Sequence, residues 1–175
     1  MDNVLILELI GIPVIFLGGS LFHFLYKYGG KKLWMSIISP VNESIWEHLK
    51  IAFYPALLYA GIQAYFWQDR PQNYFTAELI GIFSMMAFIL VIELIYPAIL
   101  KKNILILDLM VFFISISLSQ IISYSLFQNE SLKLPDFAIV LVILIQVGIF
   151  TLFNFKTPRI GLFRSSIGRR KYGIK

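Results

Sequence analysis

The sequence contains no cysteine and little charge. Asp, Glu, Lys and Arg make up 14% of its 175 residues, whereas roughly a quarter of the residues of a soluble domain are charged. The absence of cysteine excludes disulfides, thiolate nucleophiles and Cys-based metal sites, so any metal ligands must be His, carboxylates or amides. Signatures of serine hydrolases, P-loop enzymes and zinc proteases are also missing. Because 58% of the residues are hydrophobic, an ordinary water-soluble enzyme is excluded and a lipid-embedded protein is favoured.

Five apolar stretches are long enough to cross a bilayer, which requires about 20 residues. They lie at residues 4–26, 44–67, 75–100, 104–127 and 136–155. Trp46 and Trp67 frame the second stretch and are separated by about 31 Å of helix, which suits one aromatic anchor at each interface. We predict an all-α fold, with a five-helix transmembrane domain over residues 1–155 and a cytoplasmic tail over residues 156–175.

The distribution of basic residues predicts the orientation of these helices. A net charge of +5 is compatible with nucleic-acid binding, but 13 of the 15 Lys and Arg lie in one alternate set of connecting segments. The other set holds only Arg70 and Lys133. The positive-inside rule then places the N-terminus outside and the C-terminus in the cytoplasm. We therefore expect a multi-pass protein of the plasma or inner membrane, with the lipid bilayer as its partner and no nucleic-acid partner.

The predicted tail carries seven positive charges and no acidic residue. It is expected to lie along the anionic inner leaflet, with Leu162 and Phe163 entering the lipid and each basic residue contributing about 1 kcal/mol. A solvated tail that only sets orientation is an equally good interpretation. The sequence identifies no protein partner.

Six ionisable residues near the predicted inner interface are not explained by orientation. Each costs at least about 2.5 to 3.5 kcal/mol at mid-span, so it needs a partner, a metal or a proton. Counting along the helices from the basic anchors puts three of them about 6 to 12 Å inside the interface, where they are expected to meet. The six are His23, Glu43, Glu47, His48, Glu93 and Asp108.

Imidazole and carboxylate are the ligand types of a Zn, Mn or Fe site. We predict His23, Glu47, His48, Glu93 and Asp108 as candidate ligands of a divalent metal such as Zn, and Glu43 and Glu47 as candidate catalytic carboxylates. Ser44 and Glu47 also have the spacing of a helix capping box, while Asn42 or Ser39 offers an earlier cap. In the alternative interpretation, Lys50 neutralises Glu47 or Glu93 in an interior ion pair that only docks helices.

The motif at residues 40–50 reads Pro-Val-Asn-Glu-Ser-Ile-Trp-Glu-His-Leu-Lys, and residues 21–26 before it read Leu-Phe-His-Phe-Leu-Tyr. Further matching positions are Pro55, Pro158, Leu162, Phe163, Gly168 and the Tyr-Gly-Ile at residues 172–174. Over its whole length the sequence resembles a family of small bacterial multi-pass membrane proteins of unknown function, marked by a Pro-Val-Asn-Glu-Ser-x-Trp-Glu-His-x-Lys motif. The resemblance implies a membrane fold and no particular activity.

Other polar residues lie within the apolar stretches. Glu8 and Glu78 fall near the outer ends of the first and third stretches and are expected to be interfacial or hydrogen-bonded to each other. Gln63, Gln120 and Gln146 are expected to form hydrogen bonds between helices.

Three functions remain open from the sequence. The first is a metal-dependent membrane enzyme acting on a lipid-like substrate at the cytoplasmic leaflet. The second is a non-catalytic accessory protein in which the motif docks a partner. The third is a small transporter coupled to ions or protons.

Overall fold

The computed structural model of the protein describes residues 2–129, 132–158 and 161–163. Within these ranges the fold is all-helical, with six α-helices, a turn of 3-10 helix and no strand. The elements are α1 (Asp2–Tyr28), α2 (Leu33–Ile38), α3 (Ile45–Phe66), α4 (Tyr74–Leu100), α5 (Leu105–Phe127), α6 (Asp136–Phe155) and the 3-10 turn (Gly161–Phe163). The predicted all-α class is confirmed, and the five long helices match the predicted stretches to within two residues at each end.

Among the helices that the structure describes, four are long and apolar enough to cross a membrane: α1 from Val4 onward, α4, α5 and α6. Helix α3 does not reach the same apolarity, because its first turns carry Glu47, His48 and Lys50. More than half of its residues are instead buried by protein, and Ala52 and Phe53 are fully buried. A helix surrounded by other helices does not need the apolar exterior of a lipid-facing one. Five spans, and their orientation, stay predictions.

Four helices form the centre of the molecule. Helix α1 packs against α3 and α5, and α4 packs against the same two helices, so that the four close a ring. The largest buried cluster lies between them and includes Ile15, Phe53, Met85 and Ile116. Helix α6 lies outside the ring and contacts α2 and α4. It adds Phe150, whose ring packs on Phe53.

Consecutive long helices run in opposite directions, so the bundle has two ends. We call the end that carries the start of α1, the end of α3 and the start of α4 the N-terminal end. The opposite end, which we call the motif end, carries α2, the motif at residues 40–50 and the α4–α5 connection. Hydrogen bonds join elements at each end, for example Tyr59 to the Leu7 carbonyl at the N-terminal end and Ser39 to α1 at the motif end.

The short helix α2 was not predicted, and it shapes the segment that leads into α3. Ser39, directly after α2, donates its hydroxyl proton to the carbonyl of Phe22 at 2.6 Å and accepts from the amide of Tyr26 at 2.9 Å. These two backbone groups of α1 are four residues apart and pair with each other in an ideal helix. One side chain thus ties the loop to the last turns of α1.

Ser44 is the N-cap of α3, as the capping-box spacing predicts. Its hydroxyl oxygen accepts from the amide of Glu47 at 3.4 Å. In a capping box the Glu47 carboxylate would accept in return from the amide of Ser44. Here the carboxylate accepts from the amide of Val41 at 3.0 Å. The amide of Ser44 donates to Asn42 at 2.9 Å instead.

Replacing Ser44 with alanine is expected to lower stability by about 1 kcal/mol, because a buried amide loses its acceptor. Thermal unfolding in detergent micelles, followed by circular dichroism, measures the change. Ser125→Ala is the matched control, since its hydroxyl bonds to the Ile121 carbonyl on an exposed helix face. Equal unfolding temperatures for the two variants would contradict the cap assignment.

The predicted basic tail is described only in part. Arg159, Arg164, Arg169, Arg170, Lys171 and Lys175 lie outside the described residues. In the 3-10 turn, the Phe163 ring packs against Trp46 and Phe153, with centroid separations of 5.1 Å in both cases. This side chain therefore contributes to the protein interior, whereas the sequence suggested that it enters the lipid.

Candidate metal site at the motif end

Three side chains from separate elements meet at the motif end. His23 comes from the last turns of α1, Glu43 from the loop before α3, and His48 from the first turn of α3. The Ser39 bridge to α1 and the Ser44 cap of α3 fix the two ends of the loop that carries Glu43. The local structure thus holds the loop between the two histidines.

The three side chains are close enough to share one metal ion. One ligand atom from each lies within 4.8 Å of the other two. His48 Nε2 lies 3.2 Å from Glu43 Oε2, and His23 Nε2 lies 3.7 Å from Glu43 Oε1. The two imidazole rings lie 5.6 Å apart between centroids. We call these three residues the triad.

The triad is accessible from outside the bundle. The side chains of His23 and His48 are about a quarter exposed, and that of Glu43 is 41% exposed. The hydrogen bond with His48 lowers the pKa of the Glu43 carboxyl, and the nearby charges of His23 and Lys27 act in the same direction against the effect of burial. Glu43 is therefore held as a carboxylate, the form that binds a metal.

Glu47 is separate from the triad and forms a buried ion pair. Its carboxylate accepts from Lys50 Nζ at 2.7 Å, and the two side chains are 4% and 0% exposed. The interior ion pair that the sequence offered as an alternative is thus present for Glu47. Glu47 does not belong to the group of potential metal ligands that the described residues form, and its Oε2 accepts from both Lys50 and the amide of Val41.

The ammonium of Lys50 also joins two other elements, α2 and α6, to the start of α3. It donates to the carbonyl of Ser36 in α2 at 2.9 Å and to Oδ1 of Asn154 in α6 at 2.6 Å. Asn154 in turn donates to the same Ser36 carbonyl at 2.8 Å. Sequence reasoning missed Ser36 and Asn154. The available signal was an amide side chain between Phe153 and Phe155, near the end of a largely apolar helix.

Glu93 and Asp108 lie near the triad without joining it. Glu93 in α4 is 6% exposed, and its charge interacts with those of Asp108 and His48. Asp108 in α5 accepts a hydrogen bond from the Tyr96 hydroxyl. Neither residue belongs to the group of potential ligands that the described residues form. These two carboxylates therefore flank the triad on the side of α4 and α5.

The structure thus divides the six candidate residues into three sets. His23, His48 and Glu43 meet, although the sequence assigned Glu43 a catalytic role and not a ligand role. Glu47 pairs with Lys50, and Glu93 with Asp108 forms a neighbouring pair. Glu47 and His48 separate because consecutive helix residues point about 100° apart.

Comparisons with known proteins address the family of the chain. No curated protein and no solved structure matches it. A family model does match, and the match covers nearly the whole chain, including every residue of the triad. The chain therefore belongs to the family of unknown function DUF6512, whose model matches residues 3–174.

Proposed function

We propose that the protein is a metal-dependent membrane enzyme whose active site is the triad of His23, Glu43 and His48. The observation that carries this proposal is the approach of the three ligand atoms to within 4.8 Å of one another. Two imidazoles and one carboxylate form the ligand set of several hydrolytic zinc sites, in which three protein ligands leave one position open. The partial exposure of all three side chains supports such an open position.

The proposed site lies at the cytoplasmic leaflet of the plasma membrane, with all five long helices crossing the bilayer. Helix α3 has 22 residues, or about 33 Å of length, and its burial by neighbouring helices compensates for its lower apolarity. The excess of Lys and Arg in segments of the motif end supports the orientation. A triad at headgroup depth favours a lipid-like substrate with a polar head.

Glu93 is the best candidate for the acid or base of the reaction. Its carboxylate is buried beside Asp108 and interacts with His48, and a buried carboxylate near a metal ligand is a typical proton carrier. In this assignment Glu43 is a metal ligand. Glu47, by contrast, only holds the protein together through Lys50.

Metal analysis of the purified protein tests the site. Wild-type protein supplied with Zn²⁺ and washed in detergent is expected to retain about one metal per chain, while Glu43→Ala and His48→Ala lose it. Glu93→Gln is the matched control, because it changes a nearby buried carboxyl that is not a ligand, and it is expected to retain the metal. Unfolding temperatures establish that the variants are folded.

Lipid turnover tests the enzymatic role. Vesicles containing phosphatidic acid or phosphatidylglycerol are incubated with wild type, His48→Ala and Glu93→Gln, and the release of phosphate or glycerol phosphate is measured. We expect turnover only in the wild type, and its loss on treatment with a chelator. The proposal would be overturned if the wild type retained no metal, or if His48→Ala retained as much metal as the wild type.

A further inference from the structure

A second polar cluster lies near the N-terminal end, inside the ring of four helices. Each helix of the ring contributes one carboxylate or amide to it, and all four residues are between 2% and 4% exposed. The four are Glu8 of α1, Gln63 of α3, Glu78 of α4 and Gln120 of α5. The sequence suggested that Glu8 and Glu78 are interfacial or hydrogen-bonded to each other; the structure buries both.

Contacts between helices show that the four residues share one level. Gln63 Nε2 donates to Glu8 Oε1 at 2.7 Å. A Cβ atom at Gly11, one turn after Glu8, would lie 2.8 Å from Gln120 Nε2. The hydroxyl of Ser123, three residues after Gln120, donates to the carbonyl of Ala77, the residue before Glu78, at 3.3 Å. These residues therefore form one group, which we call the four-oxygen cluster.

Each member of the cluster has one buried oxygen that lacks a partner. Among the residues that the structure describes, no hydrogen bond reaches Glu8 Oε2, Gln63 Oε1, Glu78 Oε1 or Gln120 Oε1. The hydroxyls of the two nearest tyrosines do not supply one, because Tyr59 donates to the Leu7 carbonyl and Tyr74 donates to the Ala60 carbonyl. Four buried acceptors without donors are expensive, so the cluster requires a source of positive charge.

Protein side chains do not provide that charge. Within the described ranges, neither Glu8 nor Glu78 forms an ion pair. Arg70, a basic residue at the N-terminal end, donates to the Ala64 carbonyl. The cluster thus combines two buried carboxyls with two amide oxygens, a set of hard ligands suited to a hard cation.

A cavity of about 130 Å³ lies between the cluster and the N-terminal end. Among its lining residues are Val4, Trp67 and Tyr124. Each of these follows or precedes a cluster residue by four positions and therefore lies one helical turn closer to the N-terminal end. At about 30 Å³ per water molecule, the cavity has room for a few waters. It is partly open to the outside and ends about one helical turn from the cluster, and none of the four cluster residues lines it.

We propose that the four-oxygen cluster is a binding site for a hard metal cation, which enters from the N-terminal end in exchange for protons on Glu8 and Glu78. Without the cation, protons on the two carboxyls supply the missing donors. Charge balance sets the exchange: a divalent ion such as Ca²⁺ displaces two protons, and Na⁺ displaces one. This site is independent of the triad, which lies at the opposite end and consists of nitrogen and carboxylate ligands.

Proton release on cation addition tests the site. Detergent-solubilised wild type in weak buffer is titrated separately with CaCl₂, MgCl₂ and NaCl, while a pH indicator and a calorimeter follow the reaction. We expect saturable binding of one of these ions, with release of about two protons for Ca²⁺ or Mg²⁺ and about one for Na⁺. Glu78→Gln is expected to weaken binding by more than about tenfold and to reduce proton release.

Two controls separate this site from other parts of the protein. Gln146→Leu changes a buried amide of α6 that also has an unpaired atom but lies outside the cluster, so binding is expected to be unchanged. His48→Ala, which disables the triad, is expected to bind the cation as the wild type does. No saturable binding in the wild type, or equal binding by Glu78→Gln and the wild type, would overturn the proposal and show that the carboxyls hold protons only.

Discussion

Replacing Lys50 with methionine is expected to destabilise the folded protein by about 3 to 5 kcal/mol. Methionine preserves the length of the side chain but removes the charge that neutralises Glu47. The Glu47 side chain is 4% exposed, so its carboxylate stays buried without a cation, and the Ser36 carbonyl and Asn154 lose a donor. The measurement is unfolding in detergent by increasing denaturant, monitored by tryptophan fluorescence.

Two further variants identify the cause of that loss. Lys102→Met removes an exposed lysine and is expected to change stability by less than about 0.5 kcal/mol. Adding Glu47→Gln to Lys50→Met is expected to recover part of the loss, because the unpaired charge is removed. A loss below about 1 kcal/mol for Lys50→Met, the size found for surface pairs, would contradict the role of a buried ion pair.

Replacing Gly81 with alanine is expected to destabilise the protein by about 1 to 3 kcal/mol. An added Cβ would lie 2.9 Å from the backbone carbonyl oxygen of Ser119 and 2.3 Å from Ser123 Oγ. A hydroxyl is able to rotate away, but a backbone oxygen moves only with its helix, so α4 and α5 must separate. Small residues at such contacts let membrane helices approach closely. The melting temperature in detergent measures the effect.

Gly61→Ala provides the matched control for Gly81→Ala. Gly61 also lies within a long helix, α3, but an added Cβ there meets no atom within 4 Å. Alanine is the better helix former by roughly 0.5 to 1 kcal/mol, so this variant is expected to be slightly more stable than the wild type. Destabilisation of the same size in both variants would show that the contact between α4 and α5 is not the cause.

The helices could be predicted because their signals are local. Long apolar runs interrupted by charged or polar connections placed the five long helices correctly. Helix α2 has only six residues and no side-chain cap, so local sequence gives it no distinct signal. Its stability comes from tertiary contacts, among them the hydrogen bonds from Lys50 and Asn154 to Ser36.

The candidate site could be predicted only as a set of residue types. The motif placed Glu43, Glu47 and His48 together in sequence, and counting along α1 put His23 at the same depth. Lys50 follows Glu47 by three positions, a spacing that allows an ion pair on one face of the helix. The sequence equally allowed Glu47 to be a metal ligand. The choice depends on which face of α3 points at α2 and α6, and the sequence of α3 alone does not specify that rotation.

The four-oxygen cluster, at the other end of the bundle, could likewise be predicted only as a set of residue types. The sequence indicates polar residues within apolar helices, and their cost in a membrane predicts that they need partners. It does not indicate that Glu8, Gln63, Glu78 and Gln120 form one cluster.

By itself, then, the sequence determined the helices, their lengths and the polar residues that each one carries, because these depend on neighbours a few positions away. Only the tertiary structure decided which polar residues meet. The order of helices around the ring and their rotation about their axes result from side-chain packing between residues distant in sequence, such as Gly81 with Ser119 and Gly11 with Gln120. Those contacts bring His23 to Glu43 and Glu8 to Gln63, and both proposed sites depend on them.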